Sequence, residues 1–351
     1  MRRLLTLLPI VSVLVAPIDI VGSGQAAPLL QPQSGPWDPT GSFSFEGDSR
    51  KLRRALSGIA CRDSASLPRT CLVVFDEGME ARHVVIDNGS YSLDGERVVL
   101  GEDGELDAEA AATDGQYYYV SGSHSVKREG CDPNPASRQV IRIPIDQASG
   151  KARHAPDNAV AGESDKGRLW SLMNQRDDLN NFVGKCLGDP SQGVNIEGLA
   201  VKGGRLYFGF RGPADKGVAR ILSVDANALF ADGDLSPSMT TIEVGEGRGI
   251  RDLAAVRDGF LILSGPDDTM ANHDKGWGIS FWDGTSSVAG AHVESKGLAE
   301  LDLSGVDVRP CDRELKPEAL AVTEDAPEHY TIVVLSDGMC DGGALQFKVV
   351  R

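Results

Sequence analysis

Glu109, Glu197 and Glu318 each open a short phrase of small and apolar residues, and Ser57 and Arg251 hold the matching place in two further copies. Carboxylates gathered at one place can offer several oxygens to a hard cation such as calcium. With Arg251 and Arg211 among them, the same set could clamp a carboxylate or phosphate while a glutamate or His124 moves a proton. A structural role is the third reading. The glutamates then accept hydrogen bonds from neighbouring strands and Arg251 neutralises them. All three readings stay open at this level.

Internal repetition is what would bring these residues together. Five phrases are each followed by a second, more aromatic or aliphatic run: LSGIAC (56–61) with TCLVVFDEG, DAEAAAT (107–113) with QYYYVSGSHS, NIEGLAV (195–201) with RLYFGFRGP, GIRDLAAV (249–256) with GFLILSGPDD, and KPEALAV (316–322) with YTIVVLSDG. Gly, Asp and other polar residues between the two runs punctuate hairpins. The runs are short and almost continuously apolar, as expected of strands buried on both faces. Aligned on the residue before the small-apolar step, the phrases stand 52, 88, 54 and 67 residues apart. Propeller blades of roughly 40–50 residues with long loops fit these steps. The expected class is all-β: a β-propeller of five blades, with six as the alternative. The widest step, near 165–190, should hold a helical insertion. SFSFEG (42–47) alternates apolar and polar residues and is expected to complete the last blade, which would otherwise leave an open edge.

In a propeller the first strand of each hairpin lines the channel, and its start lies beside the end of the second strand. Ser57, Glu109, Glu197, Arg251 and Glu318 should therefore ring one mouth. Around them should stand Asp76, Glu77, Ser123, His124, Arg211, Asp267, Asp268 and Asp337. The ligand-binding candidates are Arg251, Arg211, Ser57, Asp76 and Asp337. Glu109, Glu197 and Glu318 are the metal candidates, and His124 is the candidate proton carrier. Crowded carboxylates repel, so Arg251 is expected to pair with Glu197 or Glu318.

The whole chain narrows the context. With 35 Lys+Arg against 51 Asp+Glu in 351 residues, its net charge of −16 excludes a sequence-independent grip on nucleic acid. Arg2 and Arg3, the apolar run from Leu4 to Pro17 and the small residues near Gly24-Gln25-Ala26 have the order of a bacterial signal peptide over 1–26. That implies export to the periplasm or beyond, with 27–351 as a single propeller domain. No later apolar run is long enough to cross a bilayer as a helix. Six cysteines without a Cys-x-x-Cys pair favour disulfides in such a compartment. Their places relative to the hairpins predict the pairs 61–71, 131–186 and 311–340. No P-loop, HExxH or GxSxG pattern is present.

The stretches DAEAAATDGQYYYVSGSHS, NIEGLAVKGGRLYFGFRGP and GIRDLAAV with LILSGP resemble the bacterial domain-of-unknown-function family numbered 3616. The resemblance covers most of the chain after residue 50 and implies a propeller-like fold with no assigned activity. More distantly, the EGLA phrase is similar to phytase-like and gluconolactonase-like calcium propellers. That likeness implies metal-binding carboxylates at channel positions, and Glu109, Glu197 and Glu318 match it. The expected function is an exported propeller binding a small molecule, glycan or protein at its channel mouth. The alternative is a calcium- or magnesium-dependent hydrolase of phosphoesters or lactones. Fold alone does not decide between them.

Overall fold

A computed structural model describes residues 27–351 apart from 42, 46–48, 63–66, 102–104, 154–159 and 288–290. The segment 1–26, expected to be a signal peptide, lies outside the described residues. The apolar runs form strands in the order their punctuation dictates. A two-residue strand, β1 (Leu29–Leu30), and a short helix, α1 (Ser49–Arg53), precede the first blade. That blade contains β2 (Leu56–Cys61), β3 (Arg69–Phe75), β4 (Glu80–Asp87) and β5 (Ser90–Val99). The second contains β6 (Ala108–Thr113), β7 (Tyr117–Gly122), β8 (Val140–Pro144) and β9 (Glu163–Ser164). The third contains β10 (Asn195–Lys202), β11 (Arg205–Gly212), β12 (Val218–Asp225) and β13 (Ser238–Glu243). The fourth contains β14 (Arg248–Val256), β15 (Gly259–Pro266), β16 (Gly278–Trp282) and β17 (Lys296–Leu301). The fifth contains β18 (Lys316–Asp325), β19 (His329–Asp337) and β20 (Leu345–Val350).

Each blade is an antiparallel sheet whose strands follow one another in sequence. The inner strands β2, β6, β10, β14 and β18 pack each against the next, and β18 returns onto β2. The ring closes with five blades. Its apolar runs bury both faces because each sheet is sandwiched between two neighbours. Val73 and Phe75 of the first blade, for example, share a core with Ala319, Val333 and Leu335 of the fifth.

The small residues of the repeated phrase have a packing cause. A Cβ on Gly198 would lie 2.9 Å from Ile250 Cγ2 and 3.1 Å from Leu253 Cγ, on the next inner strand. One on Gly58 would lie 3.0 Å from the Ala110 Cα. Inner strands converge on the axis, and only small side chains fit between them.

Two expectations about the connections meet the structure differently. The widest step does contain a helix, α2 (Arg168–Gln175), which buries Leu169 and Met173. Leu179 and Val183 follow it into the core shared by the second and third blades. Of SFSFEG, only Phe43, Ser44 and Phe45 lie among the described residues, and they do not complete the last blade. That edge is taken by an earlier segment: Gln33 N–H donates to Gln346 O at 2.7 Å, and Gln346 N–H donates to Ser34 O at 3.1 Å. Just before it, β1 pairs in parallel with β17 of the fourth blade. Phe43 and Phe45 are buried as the alternation predicted, but they pack edge-on against Phe75. The alternation reported burial, and burial was supplied by aromatic packing without a sheet ladder.

The three disulfides are Cys61–Cys71, Cys131–Cys186 and Cys311–Cys340. The last two span Cα separations of 5.1 and 5.9 Å. Cys61 and Cys71 approach to 3.9 Å, closer than disulfides usually sit. They occupy the narrow pair next to the Arg62 N–Thr70 O hydrogen bond, where opposed strands come nearest.

Candidate functional site

Every one of the five aligned residues is the extra residue of a β-bulge. On β2 the pairing steps from Leu56↔Phe75 to Gly58↔Val74 and skips Ser57. On β6 it skips Glu109, on β10 Glu197, on β14 Arg251 and on β18 Glu318. A bulge leaves its residue outside the ladder and re-aims the side chain. Repeated five times at one level, it turns five side chains toward one end of the channel. A bulge, not a plain strand start, builds the ring.

The cations in this ring are spent on carboxylates. Arg251, 1% exposed, has Nε 2.8 Å from Glu197 Oε2 and its Nη2 on Glu318. It therefore joins both expected partners at once. Arg211 Nη1 donates to Glu197 Oε1 at 2.9 Å, and its Nε lies 3.2 Å from Asp268 Oδ1. Arg128 reaches the same Asp268 oxygen at 2.8 Å. Burial would raise the Asp268 carboxyl, but Arg211 and Arg128 outweigh it and hold it below the ordinary range. Lys316 bridges Glu318 Oε1 at 3.1 Å and Asp337 Oδ2 at 2.5 Å. Burial opposes its charge, but the two carboxylates prevail and raise the ammonium. Ser57 Oγ completes the circle with a 3.4 Å hydrogen bond to Glu318 Oε2. Trp277 lies against this network, and Gly265 lets it in: a Cβ there would meet the indole at 2.6 Å and Arg251 Cγ at 3.1 Å.

Glu109, Asp76 and Asp107 form no ion pair with a cation among the described residues. Burial, together with Glu197, Asp107 and Glu318, pushes Glu109 well above the usual carboxylate range. Burial, Asp337 and Glu318 do the same to Asp76, whose Oδ1 is buried without a hydrogen-bond partner. Asp107 is pushed up to about 6, mainly by burial, while a bond from Ser123 Oγ opposes the shift. An acid raised in the fold binds more protons folded than unfolded. Its stabilisation is complete below about pH 4 and is lost as pH rises through about 6. Asp107→Asn keeps the acceptor for Ser123 and suits the left-handed backbone at φ 54°. It should flatten that part of the pH–stability curve, read from denaturant unfolding between about pH 4 and pH 7. An unchanged slope would mean that Asp107 is already ionised at the acid end.

Other expected residues lie elsewhere. His124 is fully buried and its Nδ1 donates to Gly122 O at 2.9 Å. Burial lowers it, and the charges acting on it are Asp165 and Arg138, outside the ring. Its backbone N–H is tied to Ser137 O, so the turn after β7 folds it inward, away from a proton carrier's place. Asp267 serves its own loop, accepting from Thr269 N–H and Asn272 Nδ2. Among the described residues, no group of three or more His, Cys, Asp or Glu is spaced to hold a metal ion. Glu197 and Glu318 meet guanidiniums where a divalent ion would supply the same neutralisation.

Sequence reasoning missed Asp107, Asn195 and Lys316. Asn195 Nδ2 donates to Glu197 Oε1 at 2.9 Å. Each stands two residues before its ring glutamate, so extending the phrase alignment two places upstream would have found all three. It also missed Asp252, which follows Arg251 and is 1% exposed. Its carboxylate accepts from Leu253 and Leu320 N–H, both at 2.7 Å, and from Leu199 N–H.

A cleft of about 350 Å³ opens beside the ring, lined by Arg50, Lys51, Arg54, Asp76, Arg313 and Asp337 among others. A larger cavity, about 520 Å³, lies at the other end of the channel, lined by the far ends of the inner strands and none of the ring residues.

A family model described as protein of unknown function (DUF3616) matches residues 78–343. No curated protein matches the chain. Among solved structures, the chain is similar to an arabinanase from Bacillus subtilis, at 10% identity and TM-score 0.39, covering 85% of this chain and 94% of that one. It is also similar to an α-L-arabinanase from Cellvibrio cellulosa complexed with arabinohexaose, at 8% identity and TM-score 0.43, covering 85% and 92%. Likeness at such identities concerns the fold alone. The distant resemblance to phytase-like and gluconolactonase-like propellers is not confirmed by these matches.

Proposed function

The chain belongs to the DUF3616 family of proteins of unknown function, so its role has to be argued from its residues, and we propose that the bulge-ringed mouth binds a small hydroxyl-rich molecule of the saccharide class. The observation that carries this reading is the contrast within one mouth. Glu197, Glu318, Asp268 and Asp337 are committed to fixed cations, whereas Asp76 and Glu109 are raised carboxyls without one. A carboxyl that keeps its proton both donates and accepts hydrogen bonds, which suits hydroxyl groups. The arginine network around it holds the frame rigid, so little ordering is left to be done on binding.

An exported chain would meet its ligand outside the cytoplasm. Three disulfides suit an oxidising compartment, and the amino-terminal pattern reads as a leader. No helix among the described residues is long and apolar enough to cross a membrane.

Calorimetric titration of the purified chain with soluble oligosaccharides tests the proposal. Glu109→Ala should weaken the best ligand by about tenfold or more, the scale of a lost buried hydrogen bond to a carboxyl. Finding no saccharide that binds, or equal binding by the variant, would overturn it. A parallel titration with calcium chloride separates the cation reading, since heat from calcium alone would reassign the mouth to a divalent ion.

A further inference from the structure

The cleft beside the ring is lined by both signs of charge. Its acidic wall is the set Asp76, Glu77, Glu314 and Asp337, its basic wall the set Arg50, Lys51, Arg54 and Arg313. Much of the acidic wall is already neutralised by geometry. Lys51 Nζ lies 2.5 Å from Glu77 Oε1, and Lys316 lies 2.5 Å from Asp337 Oδ2. Asp76 is half-buried, with Oδ1 enclosed and without a hydrogen-bond partner, and burial with the charges of Asp337 and Glu318 raises its carboxyl well above the usual range.

Much of the basic wall is not neutralised. Arg54 Nε donates to the Cys311 carbonyl at 2.5 Å, which satisfies a donor without cancelling a charge. Arg313 approaches Glu314 only at 3.9 Å, with its side chain 74% exposed. Arg50 is exposed, and no carboxylate among the described residues pairs with it. Two guanidiniums, Arg50 and Arg54, thus line the cleft with no carboxylate paired to them among the described residues, and Arg313 holds Glu314 only at 3.9 Å, in a chain whose net charge of −16 repels anions at long range. A wholly cationic ligand would be repelled by this wall, and a neutral one would leave it unused.

We infer that the ligand of this mouth is an acidic saccharide, its hydroxyls on Asp76 and Asp337 and its carboxylate or sulfate group on Arg50, Arg54 and Arg313. The inference rests on the reading of the mouth as a saccharide site and adds the charge of the ligand. Guanidinium forks match the planar oxygens of a carboxylate and the fan of a sulfate. The unpartnered Asp76 Oδ1 is free to bond a sugar hydroxyl, and the raised carboxyl repels an acid group beside it less than an ordinary carboxylate would.

Calorimetry on the purified chain with trigalacturonate, its sulfated counterpart and neutral galactotriose tests this. At least one acidic probe should bind about tenfold or more tightly than galactotriose, and which of the two identifies the anionic group. Much of that preference should fade in about 0.5 M sodium chloride. Arg50→Gln with Arg313→Gln changes two surface side chains that hold no core together. This pair should draw the acidic-to-neutral affinity ratio toward one, and adding Arg54→Gln should complete the effect. Equal affinity for acidic and neutral probes would overturn the inference and leave the saccharide site standing. A preference that survives all three substitutions would overturn it as well. Binding of none of the three probes or of any other oligosaccharide would remove the saccharide site itself.

Discussion

Arg251→Ala should destabilise the propeller by about 3–5 kcal/mol, the loss typical of breaking a buried ion pair from one side. The guanidinium is almost wholly enclosed and touches both Glu197 and Glu318. Removing it leaves two carboxylates where water cannot replace the lost charge. Each keeps one cation, Arg211 for Glu197 and Lys316 for Glu318, which places the loss toward the lower end of that range. Denaturant unfolding of the variant beside the parent chain measures it. A variant that keeps its stability but loses saccharide binding would show that Arg251 serves the ligand and not the frame. A variant unchanged in both would deprive the ring of its central cation.

Asp252→Ala should cost about 2–4 kcal/mol, because the Asp252 carboxylate joins three inner strands. It sits on β14 and accepts backbone N–H groups from Leu320 on β18 and Leu199 on β10. Each buried donor left without an acceptor costs about 1–3 kcal/mol. Burial pushes this carboxyl well above its ordinary range, against the pull of the three N–H groups. The sign of the pH dependence follows. An acid raised in the fold stabilises most when protonated in both states and loses that contribution as pH rises through the folded value. The penalty of Asp252→Ala should therefore be larger near about pH 5 than near pH 8. Equal penalties at both values would mean that the carboxylate is already ionised when buried, with its hydrogen bonds outweighing desolvation.

Much of this organisation was legible along the chain. The five hairpins, the disulfide pairing, the helical insertion and the shared level of Glu109, Glu197, Arg251 and Glu318 follow from local periodicity and spacing. Strands buried on both faces write themselves as continuous apolar runs. Small residues recur because inner strands meet at an axis, as Gly58 and Gly198 do. A residue that recurs at one place in a repeat must recur at one place in a ring.

What the chain alone could not decide depends on contacts between residues far apart in it. SFSFEG alternates like a strand, yet 33–34 takes the free edge of the fifth blade, because a sheet edge is won by whichever segment reaches it. His124 ends its strand beside the mouth, but the turn that follows buries its ring. The bulges leave no mark in composition, since a bulge is a relation between two strands. The pairing of Arg251 with two glutamates from different blades is likewise a product of closure. Periodicity determined that five side chains share a level. Only the closed ring decided which charges cancel there and which carboxyls, Asp76 and Glu109, are left raised, because burial and neighbouring charge exist only after distant strands have met.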